Sequence, residues 1–378
     1  MPIRLGVVGL STSRGWAASN LIPPIFAPPL SEHFVLTALS TSSPASAAAS
    51  AAHFSELAKR EVKGYHGSTE AICADPDVDA VVVSVRVSEH FGAVMPAIEA
   101  GKDVFVEWPL GKNLAEARTI AQAARGRGLR TMIGLQGWQG PSFVKIKEWV
   151  DTGKIGRVIS TSWLALKIPE IGRNAPFIGL DTHYEYYRNP SNGGTYLDIF
   201  IGHPLSYITF VLGKLRKVNA TITTGFPEVR IAESFDAADG EVIPNDQPDQ
   251  WAISGVFDCG ALFSASWLSL GAPLAPGQPA LVWEIVGTEG KIRVESDQPY
   301  TAYGPGVFPP DTVLLNGERV SFVEENSEQT TTGRAWEAFA SGVEGSYPTF
   351  EDAVDVHRLI DAIKKSDTEG RTVSFDEI

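Results

Sequence analysis

Cysteine, methionine and basic side chains are scarce in this chain of 378 residues. It has 2 cysteines and 3 methionines, and 45 aspartates and glutamates outnumber 31 lysines and arginines. The two cysteines, Cys73 and Cys259, are too few and too far apart for a disulfide framework or a cysteine-based metal site, so we expect reduced core thiols. Long apolar stretches are also missing, and no segment is predicted to cross a bilayer.

The shortage of basic residues limits the partners that the chain can bind. A formal net charge of −14 disfavours direct contact with nucleic acid or anionic membranes, although a local basic pocket for a phosphorylated cofactor is compatible with it. No signal-like leader precedes the first predicted strand, so we expect a cytoplasmic protein. The histidines are scattered without ligand spacing, which predicts no metal site. A serine hydrolase is also not predicted, because no nucleophile elbow occurs.

Residues 81–110 organise the first half of the chain and read VVVSVRVSEHFGAVMPAIEAGKDVFVEWPL. A β-branched apolar run predicts a strand buried on both faces of a parallel sheet. A helix is predicted over residues 90–99, and a second buried strand over 104–106. Glu107 and Trp108 follow that strand at its carboxyl end, where open α/β sheets bind ligands. The pattern predicts an α/β fold, with an N-terminal Rossmann domain over residues 1–137.

The turn after the first predicted strand resembles a dinucleotide-binding fingerprint. Gly9 is in place, Ser11 occupies the usual second glycine position, and Gly15 comes late. In such a turn the backbone N–H groups approach the pyrophosphate at a helix N-terminus. This turn therefore predicts a bound dinucleotide, although a glycine- and serine-rich connection between any strand and helix would look similar.

The second predicted strand ends in Ser40, Thr41 and Ser42, without the acidic side chain that an NAD site uses for the ribose. Small hydroxyl side chains leave room for a 2′-phosphate, and Arg14 offers a charge to it. We therefore predict NADP as the cofactor, with NAD possible.

The second half of the chain alternates apolar and polar residues over several short segments. Strands without helical crossovers predict a mainly antiparallel sheet. We expect residues 138–378 to form an α+β domain with a large, mainly antiparallel open sheet, whose C-terminal helix packs back on the first domain. A polar loop rich in aromatic residues, around Tyr184 and Tyr187, precedes the sheet.

Several motifs together carry a family resemblance over nearly the whole chain. They are VDAVVVSV, AIEAGKDVFVEWPL, GKIGRV and WEIVGTEGKIRVES. They resemble the oxidoreductase superfamily of glucose–fructose oxidoreductase, inositol dehydrogenase and rhizopine-catabolism proteins (Gfo/Idh/MocA). The spelling VEWPL is closest to the fungal galactose-pathway repressor branch. The resemblance implies a nicotinamide cofactor and a homodimer formed through the second-domain sheet.

The chain departs from that family at the residues that carry its chemistry. Trp108 stands where most members have a lysine near the nicotinamide, and Trp138 stands in an arginine position. Active members place an aspartate and a histidine four residues apart; here Asp198 lies five residues before His203. Two indoles in place of two cations favour an apolar or aromatic ligand over a sugar, unless both only pack in the core. His203 is the best candidate for proton transfer, with a buried core histidine as the alternative.

These patterns predict three overlapping sets of functional residues. The catalytic candidates are His203, Trp108, Tyr187 and Asp198. The predicted substrate pocket consists of Trp108, Trp138, Tyr184, Tyr187 and His203. The predicted cofactor-binding residues are Gly9, Ser11, Thr12, Ser13, Arg14, Gly15, Trp16, Ser40, Thr41, Ser42, Val85, Arg86, His90, Glu107, Trp108 and Gln136.

Two functions fit the sequence. The first is an NAD(P)-binding enzyme of secondary metabolism that acts on a bulky, partly aromatic small molecule. It would be either a reductase without the family lysine or a non-redox cyclase, isomerase or lyase. The second is a non-catalytic regulator with a protein partner, as in the repressor branch. The compact chain shows no long insert for such a partner, which favours the enzyme.

Overall fold

The computed structural model describes residues 1–12, 15–167, 173–174, 177–179, 186, 189–232, 240–272, 274–297, 312–321, 330–343 and 345–378. The chain divides into two compact units. The first consists of Met1–Gln139, Ser191–Gly194 and Glu328–Asp355. The second consists of Gly140–Pro190, Thr195–Ser327 and Val356–Ile378.

A parallel sheet of six strands forms the centre of the first unit. The strands are β1 (Ile3–Val8), β2 (Phe34–Thr41), β3 (Lys63–His66), β4 (Ala80–Val83), β5 (Asp103–Glu107) and β6 (Thr131–Gly134). Their order is β3-β2-β1-β4-β5-β6, and every neighbouring pair is parallel. All four residues of β4 are buried, as its apolar sequence predicts. This is the expected Rossmann topology, with a switch point between β1 and β4.

Helices connect these strands. They are α1 (Leu30–His33), α2 (Pro44–Ala58), α3 (Glu70–Cys73), α4 (Val87–Glu99) and α5 (Leu114–Gly126). The helix α4 begins at residue 87, three residues before the predicted start. The chain is extended at the N-cap, Arg86, and becomes helical at the next residue. His90 therefore lies in the first turn of α4 and not at its start.

The first unit is completed by residues from near the end of the chain. The helix α8 (Thr331–Ser341) packs Trp336 against Phe34 and Phe105, with ring centroids 5.1 and 5.2 Å apart. The Trp336 indole N–H also donates to the carbonyl of Leu21 at 2.8 Å. These contacts make α8 part of the core around β2 and β5.

A nine-stranded sheet dominates the second unit. Its strands are β7 (Val158–Lys167), β10 (Leu215–Thr223), β13 (Gln250–Phe257), β14 (Leu262–Ser269), β15 (Leu281–Gly287), β16 (Lys291–Ser296), β17 (Thr312–Leu315), β18 (Glu318–Val320) and β19 (Val373–Ser374). Their order is β18-β17-β16-β15-β7-β14-β13-β10-β19. Neighbours pair antiparallel except β7 and β14, which are parallel. The prediction of a mainly antiparallel sheet is confirmed.

A smaller sheet of four strands accompanies it. These strands are β8 (Arg173–Asn174), β9 (Phe177–Gly179), β11 (Glu228–Ala232) and β12 (Glu241–Pro244), in the order β12-β11-β9-β8.

Three helices pack with the nine-stranded sheet: α6 (Pro141–Asp151), α7 (Gly202–Leu212) and α9 (Phe350–Glu369). A π-helix, Leu197–Ile201, leads directly into α7. Inward-facing aromatic side chains fill the core between helices and sheet, and Phe143 of α6 stacks on Tyr207 of α7 with centroids 4.4 Å apart. In the described part of the chain, no helix combines the length and low polarity that crossing a bilayer requires.

Candidate functional site

The turn after β1 approaches the end of β4 so closely that it needs a glycine. Gly9 has φ +94°, and a Cβ added there would lie 2.1 Å from the carbonyl oxygen of Ser84. The Gly9 N–H donates to the carbonyl of Ser40 at the end of β2, at 2.8 Å. Any side chain at this position would push the three strand ends apart. This close approach is what a dinucleotide turn requires.

The rest of the turn departs from the fingerprint. The Thr12 N–H donates to Ser50 Oγ of α2 at 3.3 Å, whereas Ser13 and Arg14 lie outside the described residues. Gly15, with φ +125°, and Trp16 lead into a π-helix, Ala17–Leu21. Five residues form a much shorter helix than the fingerprint predicts.

The end of β2 offers hydroxyl groups and no carboxylate. Ser40 and Thr41 are buried, and only Ser42 is exposed. The Thr41 hydroxyl donates to the carbonyl of Ser43 at 3.3 Å. Val85 is half-buried and would lie 3.0 Å from a Cβ at position 9. The predicted cofactor residues of β1, β2 and β4 are thus brought to one edge of the sheet.

Glu107 ends β5 as an enclosed carboxyl group. Its Oε2 accepts from the Gln136 side-chain amide at 3.3 Å, and its Oε1 is buried without a hydrogen-bond partner. Gly134 makes room for this carboxyl, because a Cβ there would lie 2.1 Å from Oε2. Burial raises the pKa of Glu107 to about 8, although the nearby Trp16 indole, Gln136 and the Trp108 backbone N–H favour the ionised form. Glu107 is therefore mostly protonated at neutral pH.

The peptide bond between Trp108 and Pro109 is cis, and a buried histidine holds the turn that contains it. His90 Nδ1 lies 2.7 Å from the Pro109 carbonyl oxygen, and its Nε2 lies 3.1 Å from that of Val85. His90 is 1% exposed, and burial lowers its pKa. A neutral imidazole has one N–H, so it donates to one of these two carbonyls while the other ring nitrogen lies near the second. His90 therefore connects the residues that follow β4 and β5. Arg86, just before α4, is exposed.

The two tryptophans differ in accessibility. Trp108 is 5% exposed, whereas Trp138, on the 3-10 turn Gln136–Gln139, is half-buried. Both belong to the first unit. Of the two indoles, Trp138 therefore has more surface accessible to a ligand, and Trp108 is packed among the buried apolar residues.

In the second unit, Asp198 is a buried carboxylate with a definite set of partners. It is 5% exposed and accepts hydrogen bonds from Thr195 Oγ1 and Lys364 Nζ. The Lys364 side chain is 45% exposed. The pKa of His357 is lowered to about 3, mainly because this histidine is buried and also because the charge of Lys364 is nearby. The predicted proton-transfer aspartate is therefore tied to α9.

The π-helix changes how Asp198 relates to His203. Its characteristic bond runs from the Gly202 N–H to the Leu197 carbonyl, five residues back, so this turn holds one residue more than an α-helical turn. In an α-helix, a five-residue spacing would turn the two side chains to different faces. The wider turn compensates for the extra residue between Asp198 and His203. The π-helical turn therefore offsets the one-residue difference between this chain and the spacing that the family resemblance implies.

His203 is half-buried, and burial lowers its pKa to about 4. The imidazole is therefore neutral at physiological pH, with one N–H and one unprotonated ring nitrogen. The Ser206 hydroxyl donates to the His203 backbone carbonyl at 2.7 Å and leaves the ring unused. Tyr184 and Tyr187, predicted for catalysis and the substrate pocket, lie outside the described residues.

Comparisons with known proteins agree with this architecture. Residues 3–135 match the model of the oxidoreductase family with an NAD-binding Rossmann fold (GFO_IDH_MocA), and residues 141–296 match that of the Gal80p C-terminal domain. The chain is 32% identical to the dehydrogenase aclE of Aspergillus oryzae over 99% of its own length and 98% of that protein. The chain belongs to the Gfo/Idh/MocA oxidoreductase family.

The regulatory branch of this family is represented as well. The galactose/lactose metabolism regulatory protein GAL80 of Saccharomyces cerevisiae is 25% identical over 100% of this chain and 95% of its own. The crystal structure of the transcriptional regulator Gal80p from Kluyveromyces lactis superposes with a TM-score of 0.83 at 25% identity, covering 100% of this chain and 95% of that one. These comparisons place this Gfo/Idh/MocA member near the Gal80-like branch.

Some residues of the site in this Gfo/Idh/MocA chain were not predicted from the sequence. Lys364 is 166 positions from Asp198, and no local pattern connects them. Gly134 had a weak signal, since a glycine at the end of a buried strand often marks a close approach. Among the residues that the structure describes, no group of histidines, cysteines and carboxylates is arranged to hold a metal ion.

We expect Lys364→Met to destabilise the second unit, because it leaves the Asp198 carboxylate buried without its cation. Removing one partner of a buried ion pair is costly, but the lysine is partly solvated, so we expect a loss of about 1–3 kcal/mol. The double variant Asp198→Asn with Lys364→Met should recover most of this loss. Thermal unfolding measures both, with the exposed Lys154→Met as control. Equal effects of the two lysine substitutions would contradict the assigned pair.

Proposed function

We propose that this chain is an NAD(P)-binding enzyme of secondary metabolism that acts on a bulky, partly aromatic small molecule. The observation that carries the proposal is a nucleotide turn with its close backbone approach intact, next to a buried indole, Trp108, in the position of the family lysine. An indole cannot carry a charge or transfer a proton at neutral pH. Compared with the family pattern, the chain therefore retains the glycine of the nucleotide turn and has Trp108 in place of the lysine that serves as the acid–base group.

The first unit fits a nicotinamide dinucleotide. Gly9 has no side chain to keep a pyrophosphate away from the backbone of its turn, and such a cofactor, when bound, would supply a hydride acceptor or donor. NADP is favoured over NAD, because the end of β2 has the exposed Ser42 and no carboxylate to hold a ribose 2′-hydroxyl or repel a 2′-phosphate. The mass of the nucleotide that copurifies with the protein distinguishes the two.

The proton transfer that accompanies a hydride transfer needs another group in this chain. We propose His203, whose neutral ring accepts a proton from a hydroxyl group of the substrate, with Tyr187 as a further candidate. The chemistry is then that of a dehydrogenase. If the dinucleotide does not turn over, the same apolar surroundings would hold a reactive conformer and exclude water for a cyclisation, elimination or isomerisation.

The fate of the cofactor separates these reactions. During turnover of candidate aromatic substrates, absorbance at the reduced-nicotinamide band should change in step with product, as expected for a dehydrogenase. Product formation with an unchanged cofactor would assign a non-redox reaction. Protein that binds nucleotide but turns over none of the compounds would contradict the proposed enzyme.

His203→Ala should lower turnover by about 10²–10⁴-fold, the usual contribution of a positioned acid–base group, without unfolding the protein. His203→Gln keeps a polar side chain of similar size and should show the same loss. Steady-state kinetics and circular dichroism measure the two effects. Wild-type rates in folded variants would assign His203 to the core.

A second candidate is a cofactor-binding regulator, favoured by the match to GAL80 over 100% of this chain. In that reading the nucleotide-binding unit stays occupied, and a protein partner replaces the substrate. The protein partner would be an activator of transcription, as implied by the resemblance to the repressor branch.

We also propose a homodimer through the outer face of the nine-stranded sheet. Leu164 of β7 and Leu262 of β14 are 38% and 61% exposed on this face, and serines lie between them along the same strands. A flat face of small and apolar side chains suits a self-complementary interface.

Light scattering should therefore give a mass of about twice the 40.7 kDa of one chain. Leu262→Asp places a charge on the outer face and should shift the mass towards the monomer. The control Val343→Asp changes an exposed apolar residue of the first unit. A monomeric wild-type protein would overturn the proposed dimer.

A further inference from the structure

Among the described residues, the groups recorded around the Glu107 carboxyl are uncharged. Gln136 donates to Oε2, the Trp16 indole lies beside the carboxyl, and Oε1 is buried with no hydrogen-bond partner. A buried carboxylate normally has a cation or several N–H donors to stabilise it. Glu107 has only neutral groups beside it in the described part of the chain, a 3.3 Å hydrogen bond from Gln136 among them, so its surroundings favour a carboxyl that stays neutral until a positive charge is nearby.

Other titratable groups near the strand ends do not supply that charge. From β4 and α4 these are Arg86, which is exposed, and His90, whose ring nitrogens face the carbonyls of Val85 and Pro109. The neighbours from the turns after β6 and β1 are Gln136 and Trp16, whose side chains carry no charge. Arg14 of the latter turn lies outside the described residues. Among the described groups, none with a charge bonds to the Glu107 carboxyl.

The topology of the sheet indicates which part of a dinucleotide lies near Glu107. A dinucleotide lies across the switch point of a doubly wound sheet, with its pyrophosphate at the first turn. Gly9, after β1, would then hold the pyrophosphate, and the end of β2 would hold the adenosine half. The ends of β4, β5 and β6 would be left for the nicotinamide half, and Glu107 is the last residue of β5.

We propose that Glu107 makes the nicotinamide site discriminate between the oxidised and the reduced cofactor. This inference rests on the proposed function only for the binding of a nicotinamide dinucleotide. The oxidised nicotinamide ring carries a positive charge, and the reduced ring is neutral. The oxidised ring supplies the missing cation for a Glu107 carboxylate, whereas the reduced ring fits the protonated carboxyl.

The proton balance gives the direction of the effect. Near neutral pH, binding of the oxidised cofactor turns Glu107–COOH into Glu107–COO⁻ and releases one proton to solvent; binding of the reduced cofactor releases none. Because burial raises the pKa of the free carboxyl to about 8, affinity for the oxidised form rises as pH increases towards that value, by up to about tenfold per pH unit. Above it, the carboxylate is already formed and the rise ends.

The test measures dissociation constants of both cofactor forms by calorimetry between pH 6 and 9. For the wild-type protein, the ratio of the oxidised to the reduced dissociation constant should fall at least threefold from pH 6.5 to pH 8. Glu107→Gln keeps the shape and the hydrogen-bonding capacity of the protonated carboxyl, and its ratio should stay constant over the same range. Glu99→Gln, an exposed carboxyl at the end of α4, is the matched control and should behave as wild type.

A second measurement uses the wild-type protein alone and does not depend on how the variant folds. Calorimetry at pH 7 in buffers of different ionisation enthalpy should show up to one proton released with the oxidised cofactor and none with the reduced cofactor. Binding of both forms with a pH-independent ratio, or equal proton release, would overturn this inference and leave the proposed function intact. Failure of either form to bind would overturn both.

Discussion

Parallel pairing of six strands constrains the first unit more than any single contact. In a parallel sheet every carboxyl end faces the same edge, so residues from the ends of β1, β2, β4, β5 and β6 meet although they are far apart in sequence. The close approach at Gly9 locks three of those ends together through backbone contacts with Ser84 and Ser40. Glu107 and Gln136 meet at the same edge because β5 and β6 are neighbours.

The sequence predicted this edge well, because apolar strands and glycine turns are local signals. It did not predict the state of Glu107, because that state depends on enclosure by residues from other strands. The Asp198–Lys364 pair joins positions 166 residues apart and has no local signature. The π-helix was also missed. Counting along the chain makes Asp198 one residue out of place, whereas the additional residue in the turn offsets the difference.

The family resemblance implies a lysine at the position of Trp108, and its loss would alter the electrostatics of the edge. A cation in this region would favour the ionised form of a nearby carboxyl. An indole excludes water and provides no charge, and a carboxyl in such surroundings becomes neutral. The raised pKa of Glu107 and the buried indole of Trp108 are therefore two signs of the same low-polarity environment.

Burial shifts the pKa values of Glu107 in the first unit and of His203 in the second unit in opposite directions. Burial makes Glu107 a proton holder at neutral pH and makes His203 a neutral proton acceptor, the arrangement expected when environments drive two titratable groups apart. In the proposed dehydrogenase, Glu107 would match the charge of the nicotinamide and His203 would accept a proton from the substrate, whereas the proposed regulator needs neither property. The overall fold does not separate the two proposals, because both branches of the family share it.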